Sequence, residues 1–265
     1  IENMPAFFAH DLFGRAAAKR LKGDLKETVL THYTQFRIGL QGPDLFFFYR
    51  PYSYNAVNRY GTALHEASAL PFLEKAKEVI LEKGRDSKEY AYLLGFICHF
   101  ILDSECHPYV ESFRALSGVA HMEIEEEFDK KLLRLLGRNP FTYPLYRLIP
   151  TDETTAESVL PFYDADLHTI RTSLLDLHRV KRLFYAPRIW KQFLMNGIMR
   201  LLGKYDTMKG LVHQRPDNPR CAKSNEELLA RFKKAVPLAV KMLESFDQSL
   251  RTGSELDPRF DRNFE

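Results

Sequence analysis

Residues 99 to 107 read His-Phe-Ile-Leu-Asp-Ser-Glu-Cys-His, which sets His99, Asp103 and His107 four apart in an otherwise apolar stretch. On a helix, residues four apart lie one turn above each other, so these three side chains share a face. A lone histidine on an apolar helix is most often a satisfied core residue. A carboxylate in the same stripe changes the reading, because a buried carboxylate needs a metal ion or a cationic partner. Since no Lys or Arg lies between Gly95 and Tyr109, the string points to metal binding. A second string, His121-Met-Glu-Ile-Glu125, pairs a histidine with a carboxylate at the same spacing. Neutral imidazole and carboxylate are the nitrogen and oxygen ligands that zinc takes at roughly 2.0–2.2 Å, and a helix offers such pairs on a rigid base.

Two further segments can complete such a site. Gly39-Leu-Gln-Gly-Pro-Asp44 is a tight loop that presents Asp44, followed by the aromatic run Phe46, Phe47, Phe48 and Tyr49. His65 is expected near the start of a helix, beside Glu66 and Ser68. Taken singly, Asp44 reads as a turn residue, His65 as a surface residue and the aromatic run as core.

These residues resemble the bacterial zinc-dependent phospholipase C proteins, a family that shares its helical fold with the fungal single-strand nucleases. That family clusters three zinc ions on, in chain order, an N-terminal amine, His, Asp, His, His-x3-Asp, His, and His-x3-Glu or His-x3-Asp. The chain supplies His10, Asp44, His65, His99-x3-Asp103, His107 and His121-x3-Glu125 in that order, across about half its length. The Gln-Gly-Pro-Asp-x-Phe-Phe run also looks like that of many members. The resemblance implies a first zinc on Asp44, His65, His99 and Asp103, and a second on His107, His121 and Glu125. Asp103 would bridge to a third, completed by His10 and the N-terminus. It also implies hydrolysis of a phosphodiester by attack of a metal-activated water, with Asp44 as the residue that orients or deprotonates the water.

Two features depart from the family pattern. The family's N-terminal ligand is usually a tryptophan, whereas the only Trp is Trp190. Ile1 to Asn3 read as an expression remnant before a native Met4, and removal of Met4 would expose the amine of Pro5, five positions before His10. Either two or three zinc ions are therefore expected. The choline-selective enzyme has aromatic residues where Leu45 and Thr62 stand, leaving Phe46, Phe47 or Tyr60 to replace them against a quaternary ammonium.

The elements that must position these residues are helical. Apolar residues recur three and four apart over 7–21, 65–83, 88–102, 121–136, 160–184, 187–202 and 225–250, with no alternating strand pattern. Pro108 is expected to end or bend the third of these. Ser224, with Glu227 three residues on, reads as a capping box for the last. The expected architecture is an all-α, multi-helix bundle in one domain over 1–265. Within it, a metal-ligand half over 4–139 is separated by the Pro140 to Pro150 segment from a helical back half over 151–265.

Composition excludes several classes. The chain has 265 residues, 45% of them apolar, and a formal charge of +3, which fits neither a disordered chain nor a strongly basic nucleic-acid coat. Its three cysteines, Cys98, Cys106 and Cys221, form no disulfide spacing. No secretory signal follows Met4 and no window approaches a transmembrane span, so a cytoplasmic protein is expected, or a secreted one whose leader has been removed. From Leu177 to Tyr205 there is no Asp or Glu, while Arg179, Lys181, Arg182, Arg188, Lys191, Arg200 and Lys204 alternate with aromatic residues. That stretch reads first as core helices with a solvated basic face, and second as a surface for an anionic membrane or a phosphate backbone. His168, His178 and His213 lack ligand spacing and are taken as structural.

The expected substrate is a phospholipid or another phosphodiester, with peripheral contact to a membrane surface and no obligate protein partner. A single-strand nuclease and a non-catalytic, metal-stabilised helical module are the alternatives. A di-iron bundle is disfavoured, because those proteins use Glu-x-x-His pairs and more carboxylates.

Overall fold

The computed structural model describes residues 7–264. Twelve α-helices and several short 3-10 turns make up these residues, and no strand occurs among them. The chain begins with α1 (Phe7–Ala18), α2 (Gly23–Thr31) and α3 (Tyr33–Gly39), and then a 3-10 turn at Gly42–Phe48. Next come α4 (Ala56–Glu66), α5 (Ala69–Lys83), α6 (Lys88–Ser117) and α7 (His121–Leu135). The back half holds α8 (Glu153–Val159), α9 (Leu167–Phe184), α10 (Ile189–Leu201), α11 (Tyr205–Met208) and α12 (Ala222–Thr252).

The long helix α6 is the central post. Its residues 89 to 104 are all buried, so helices must cover it on every side. Helices α1, α3, α5, α7 and α12 supply that cover. Burial all round explains why its sequence is largely apolar all round, the candidate ligands standing among a few buried polar residues such as Glu89 and Ser104. Pro108 does not end the helix, which continues to Ser117, about four turns beyond the expected 88–102 span. Proline forfeits one backbone hydrogen bond there, and Gly118, in the left-handed region at φ 68, ends the helix instead. The last helix, α12, lays Leu228, Phe232, Val236, Ala239, Leu243, Phe246 and Leu250 at helical spacing into the same core.

Where α3 crosses α6, Gly39 meets Gly95. A Cβ on either glycine would collide with the backbone of the opposite helix, so only this pair lets the two axes come so close. The contact fixes the start of the Gly42–Phe48 turn relative to α6, and with it Asp44 relative to His99.

Several expected boundaries shift. Residues 56–66 form a separate helix, so His65 lies in the last turn of α4 and not at the start of the next. Asn55 caps α4 through a reciprocal pair with Asn58, and Ser68 caps α5. The proposed capping box at Ser224 is not used: α12 begins at Ala222, and the Ser224 hydroxyl is buried without a hydrogen-bond partner. The expected 160–184 helix is α9 alone, preceded by α8 and a short 3-10 turn.

Candidate metal centre

All eight sequence-identified residues converge. His10 comes from the first turns of α1, Asp44 from the 3-10 turn, His65 from the end of α4, His99, Asp103 and His107 from α6, and His121 and Glu125 from α7. Each is buried. Their ligand atoms form three sets within 4.8 Å of one another: His10 with His99 and Asp103, Asp44 with His65 and His99, and His107 with His121 and Glu125. Asp103 joins the sets, its Oδ1 standing 3.0 Å from His10 Nε2 and 3.5 Å from His107 Nε2, and its Oδ2 3.0 Å from His99 Nε2.

The proton positions on the imidazoles test whether these sets suit a cation. His65 Nδ1 donates to the Gly61 carbonyl at 2.9 Å, and His99 Nδ1 donates to the Leu40 carbonyl at 3.2 Å. His121 Nδ1 donates to the Glu111 carboxylate at 2.7 Å. Carbonyl and carboxylate oxygens only accept, so each of these Nδ1 atoms carries a proton, which leaves Nε2 as the nitrogen that can present a lone pair to a metal. Those lone pairs face carboxylate oxygens: His65 Nε2 stands 2.7 Å from Asp44 Oδ1, and His121 Nε2 stands 3.2 Å from Glu125 Oε1. Two lone pairs opposed in a buried site repel unless a proton or a metal cation lies between them. Hydrogen bonds do not relieve the contact, since Asp44 Oδ1 and Oδ2, His99 Nε2, Asp103 Oδ2, His107 Nε2, His121 Nε2 and Glu125 Oε2 are all buried without a hydrogen-bond partner. The donor set therefore fits divalent metal ions, with the Nδ1 bonds fixing ring orientation as outer contacts do in metal sites.

Electrostatics agree. Burial opposes charge on His121, but Glu125 and Glu111 overcome it and raise its pKa to about 9. Burial likewise opposes ionisation of Glu125, and His121 and His107 bring it down to about 2. Asp103 is held well below the ordinary carboxylate range, burial being outweighed by His107, His99 and His10. Without metal, the site draws in protons to offset its carboxylates; metal ions replace them.

Surrounding residues hold the ligands in place. Gly42 has a left-handed φ of +49, and a Cβ on it would strike the His99 imidazole. Phe264, near the end of the chain, packs its ring 5.0 Å from His65 and 5.7 Å from His99, and its N–H donates to the His65 carbonyl. Phe47 also packs against His65, at 4.9 Å, while Phe46 and Phe48 belong to the core. No cysteine enters any of the three sets among the described residues; Cys98 and Cys106 are buried. Residues 1–6, and with them the Pro5 amine expected beside His10, lie outside the described residues.

Beside Glu125 opens a cavity that the sequence did not announce. Phe7, Phe141, Tyr143 and Phe184 give it aromatic walls, and Glu126, Asp129, Lys181 and His213 give it polar ones. His213 lines the cavity with Nδ1 3.2 Å from Glu126 Oε1, and burial pulls its pKa down to about 4, so the ring is neutral. The Lys181 ammonium lies over the rings of Phe7 and Phe48, 4.9 and 5.7 Å from their centroids. It has no carboxylate at ion-pair distance among the described residues, and burial lowers its pKa against the pull of Asp129, Asp44 and Glu125.

Searches of curated proteins and of solved structures returned no match. A family model described as zinc dependent phospholipase C matches residues 9–206, a span that holds all eight converging side chains, and the chain belongs to that family.

Proposed function

We propose that the chain is a zinc-dependent phosphodiesterase of phospholipase C type, which hydrolyses a phospholipid to release a phosphorylated head group. One observation carries the reading: three imidazoles spend Nδ1 on oxygen acceptors and aim Nε2 at the buried carboxylates of Asp44, Asp103 and Glu125. Asp44, His65, His99 and Asp103 would hold one zinc, and His107, His121 and Glu125 a second. His10 with Asp103 would contribute to a third. When bound, zinc supplies Lewis acidity that polarises phosphoryl oxygens and acidifies water.

The chain's own residues do the rest. Three carboxylates offset half the charge of three dications, which leaves the site attractive to a phosphodiester anion. Asp44 is buried with neither oxygen hydrogen-bonded, and it takes the proton of the attacking water. Water adds to phosphorus, the bond to the lipid oxygen breaks, and that oxygen is reprotonated from solvent. Lys181, a cation without a carboxylate partner in the cavity that Glu125 also lines, receives a substrate oxyanion. The aromatic walls exclude water from the bond being cleaved.

Elemental analysis of the purified chain, together with hydrolysis of a chromogenic phosphocholine ester and of single-stranded DNA, tests the proposal. Zinc with ester cleavage is expected. Cleavage of DNA alone would make the chain a nuclease, and zinc with neither activity would make it a metal-stabilised binding module.

A further inference from the structure

Helix α10 is built inside out. Four of its residues, Gln192, Met195, Asn196 and Met199, face the protein. Two of these are amides, and both donate to one acceptor: Gln192 Nε2 and Asn196 Nδ2 stand 2.8 and 2.9 Å from Gln214 Oε1. Gln214 Nε2 returns a bond to Asn196 Oδ1 at 3.1 Å. The buried amides fix the rotation of the helix about its axis. Turning it over would leave them unpaired in the interior, a costly outcome.

The opposite face carries Ile189, Trp190, Phe193, Leu194, Ile198 and Leu201, all exposed. Phe193 is 65% exposed and Leu201 88%. Apolar residues scattered singly on a surface need no explanation, but a continuous face of this kind marks an interaction site. The face is not the solvated basic one that the composition of the segment suggested. Positive charge instead flanks it along the chain: Arg182 before it, Arg188 and Arg200 at its two ends and Lys204 after it are exposed and have no carboxylate partner among the described residues. No acidic residue falls between Leu177 and Tyr205 to dilute the field.

An apolar face with Trp and Phe, edged by cations, matches a surface that is apolar below and anionic above, which is the headgroup boundary of an anionic bilayer. At 13 residues, α10 is too short to cross one, and no helix among the described residues is long and apolar enough to do so. Location adds a second argument. The segment Phe184 to Ala186, which leads into α10, also lines the cavity beside Glu125. Seating α10 in a lipid surface would bring the mouth of that cavity to the headgroups.

We propose that α10 is a membrane-docking helix, which lies in the interface of an anionic phospholipid bilayer with Trp190, Phe193, Leu194 and Leu201 inserted. This goes beyond the hydrolase reading, because docking requires neither metal nor turnover.

Trp190 is the only tryptophan, so its fluorescence reports insertion directly. The test adds the full chain to vesicles of phosphatidylcholine with phosphatidylserine, and to vesicles of phosphatidylcholine alone. Expected with the anionic vesicles are a shift of Trp190 emission to shorter wavelength, protection from an aqueous quencher, and co-sedimentation that weakens as salt rises. Phe193→Ser with Leu194→Ser should weaken vesicle binding by at least about tenfold through lost apolar contact. Arg188→Gln with Lys204→Gln should weaken it by roughly fivefold for each charge removed. All four positions are exposed, so the variants are expected to keep the wild-type circular dichroism and metal content.

Unchanged Trp190 emission with the anionic vesicles would overturn the proposal. So would Trp190 already shielded in vesicle-free solution with the chain eluting as a dimer, since the face would then belong to a contact between two copies. Because the readout is binding, a chain that docks without hydrolysing lipid would refute only the hydrolase reading.

Discussion

Glu111, in the last third of α6, accepts a 2.7 Å hydrogen bond from Nδ1 of His121, the first residue of α7. Arg114 in turn holds the second Glu111 oxygen at 2.8 Å. The pair fixes which imidazole nitrogen carries the proton, and so which nitrogen is free for metal. Replacing such an outer partner typically costs ten- to hundredfold in metal affinity. Glu111→Ala is therefore expected to lower zinc affinity about tenfold or more at the set of His107, His121 and Glu125, and to spare the other two sets. Competition with a chromophoric chelator measures it. Affinity equal to wild type would show that the α6–α7 geometry alone orients His121.

Asp129 on α7 performs a related task for His10. Its two carboxylate oxygens accept the backbone N–H groups of Phe8 and Ala9 at 2.9 and 2.8 Å, which satisfies two otherwise unpaired donors of the first turn of α1. Burial nevertheless dominates over those two bonds and lifts Asp129 from the ordinary 3.8 to about 6. The sign follows from proton linkage. A carboxyl that holds its proton more tightly when folded stabilises the fold in acid, and the contribution is lost as pH rises through about 6. The loss amounts to about 3 kcal/mol for a shift of this size. Comparing urea unfolding of wild type and Asp129→Asn, both chelator-treated, from pH 4 to pH 7 isolates the term. Wild type should lose stability relative to the variant across that window, and a pH-independent difference would rule out the shift.

Much of the candidate site was legible because the ligands fall at i, i+4 on two helices, a spacing that survives any error in helix ends. Asp103 announced itself as a carboxylate in an apolar stripe. The helix carrying His65 was misread, since Ser68 caps a new helix directly after α4 ends at Glu66, and the two were read as one. Glu111 and Asp129 left no local signal, Asp129 meeting its partners 120 residues away, and the basic stretch that holds Lys181 did not set it apart, because it acts through rings from other elements. Periodicity also marked α10 as amphipathic without telling which face turns inward. That choice rests on Gln214, which lies 18 residues beyond Asn196.

Asp103 stands within 3.5 Å of three imidazoles, so one carboxylate serves the whole cluster. Asp103→Asn keeps the shape, removes the charge, and leaves a donor NH2 facing Nε2 lone pairs or metal. The variant should lose bound zinc from more than one position and fall to background hydrolysis. Mass spectrometry under native conditions counts the ions. Retention of the full wild-type complement would contradict the joining role.

Gly42 tests the loop. A left-handed φ costs a non-glycine residue of order 1–3 kcal/mol, and Gly42→Ala would in addition push a methyl into the His99 ring. A destabilisation of about 2 kcal/mol or more is expected in chelator-treated protein, with weaker zinc binding on top of it as His99 is displaced. Denaturant unfolding with and without zinc separates the two effects. A variant that is destabilised yet binds zinc normally would confine the role of Gly42 to the backbone.

Lys181 is the residue on which substrate charge and metal charge can be told apart. Its ammonium shares a cavity with Glu125 but belongs to no ligand set, so Lys181→Met should leave zinc content unchanged, and methionine fills the space against Phe7 and Phe48. Hydrogen bonds to charged groups contribute about 1.5–3 kcal/mol, so the loss predicts a KM for an anionic phosphodiester raised by roughly ten- to hundredfold. Lys181→Arg retains the charge and should recover part of the loss. Should the contact form in the ground state only, kcat stays near wild type; should it strengthen as charge builds on the phosphoryl oxygens, kcat falls as well. Wild-type KM and kcat in Lys181→Met would place the substrate anion elsewhere and leave the cavity as a binding space for the apolar part of the lipid.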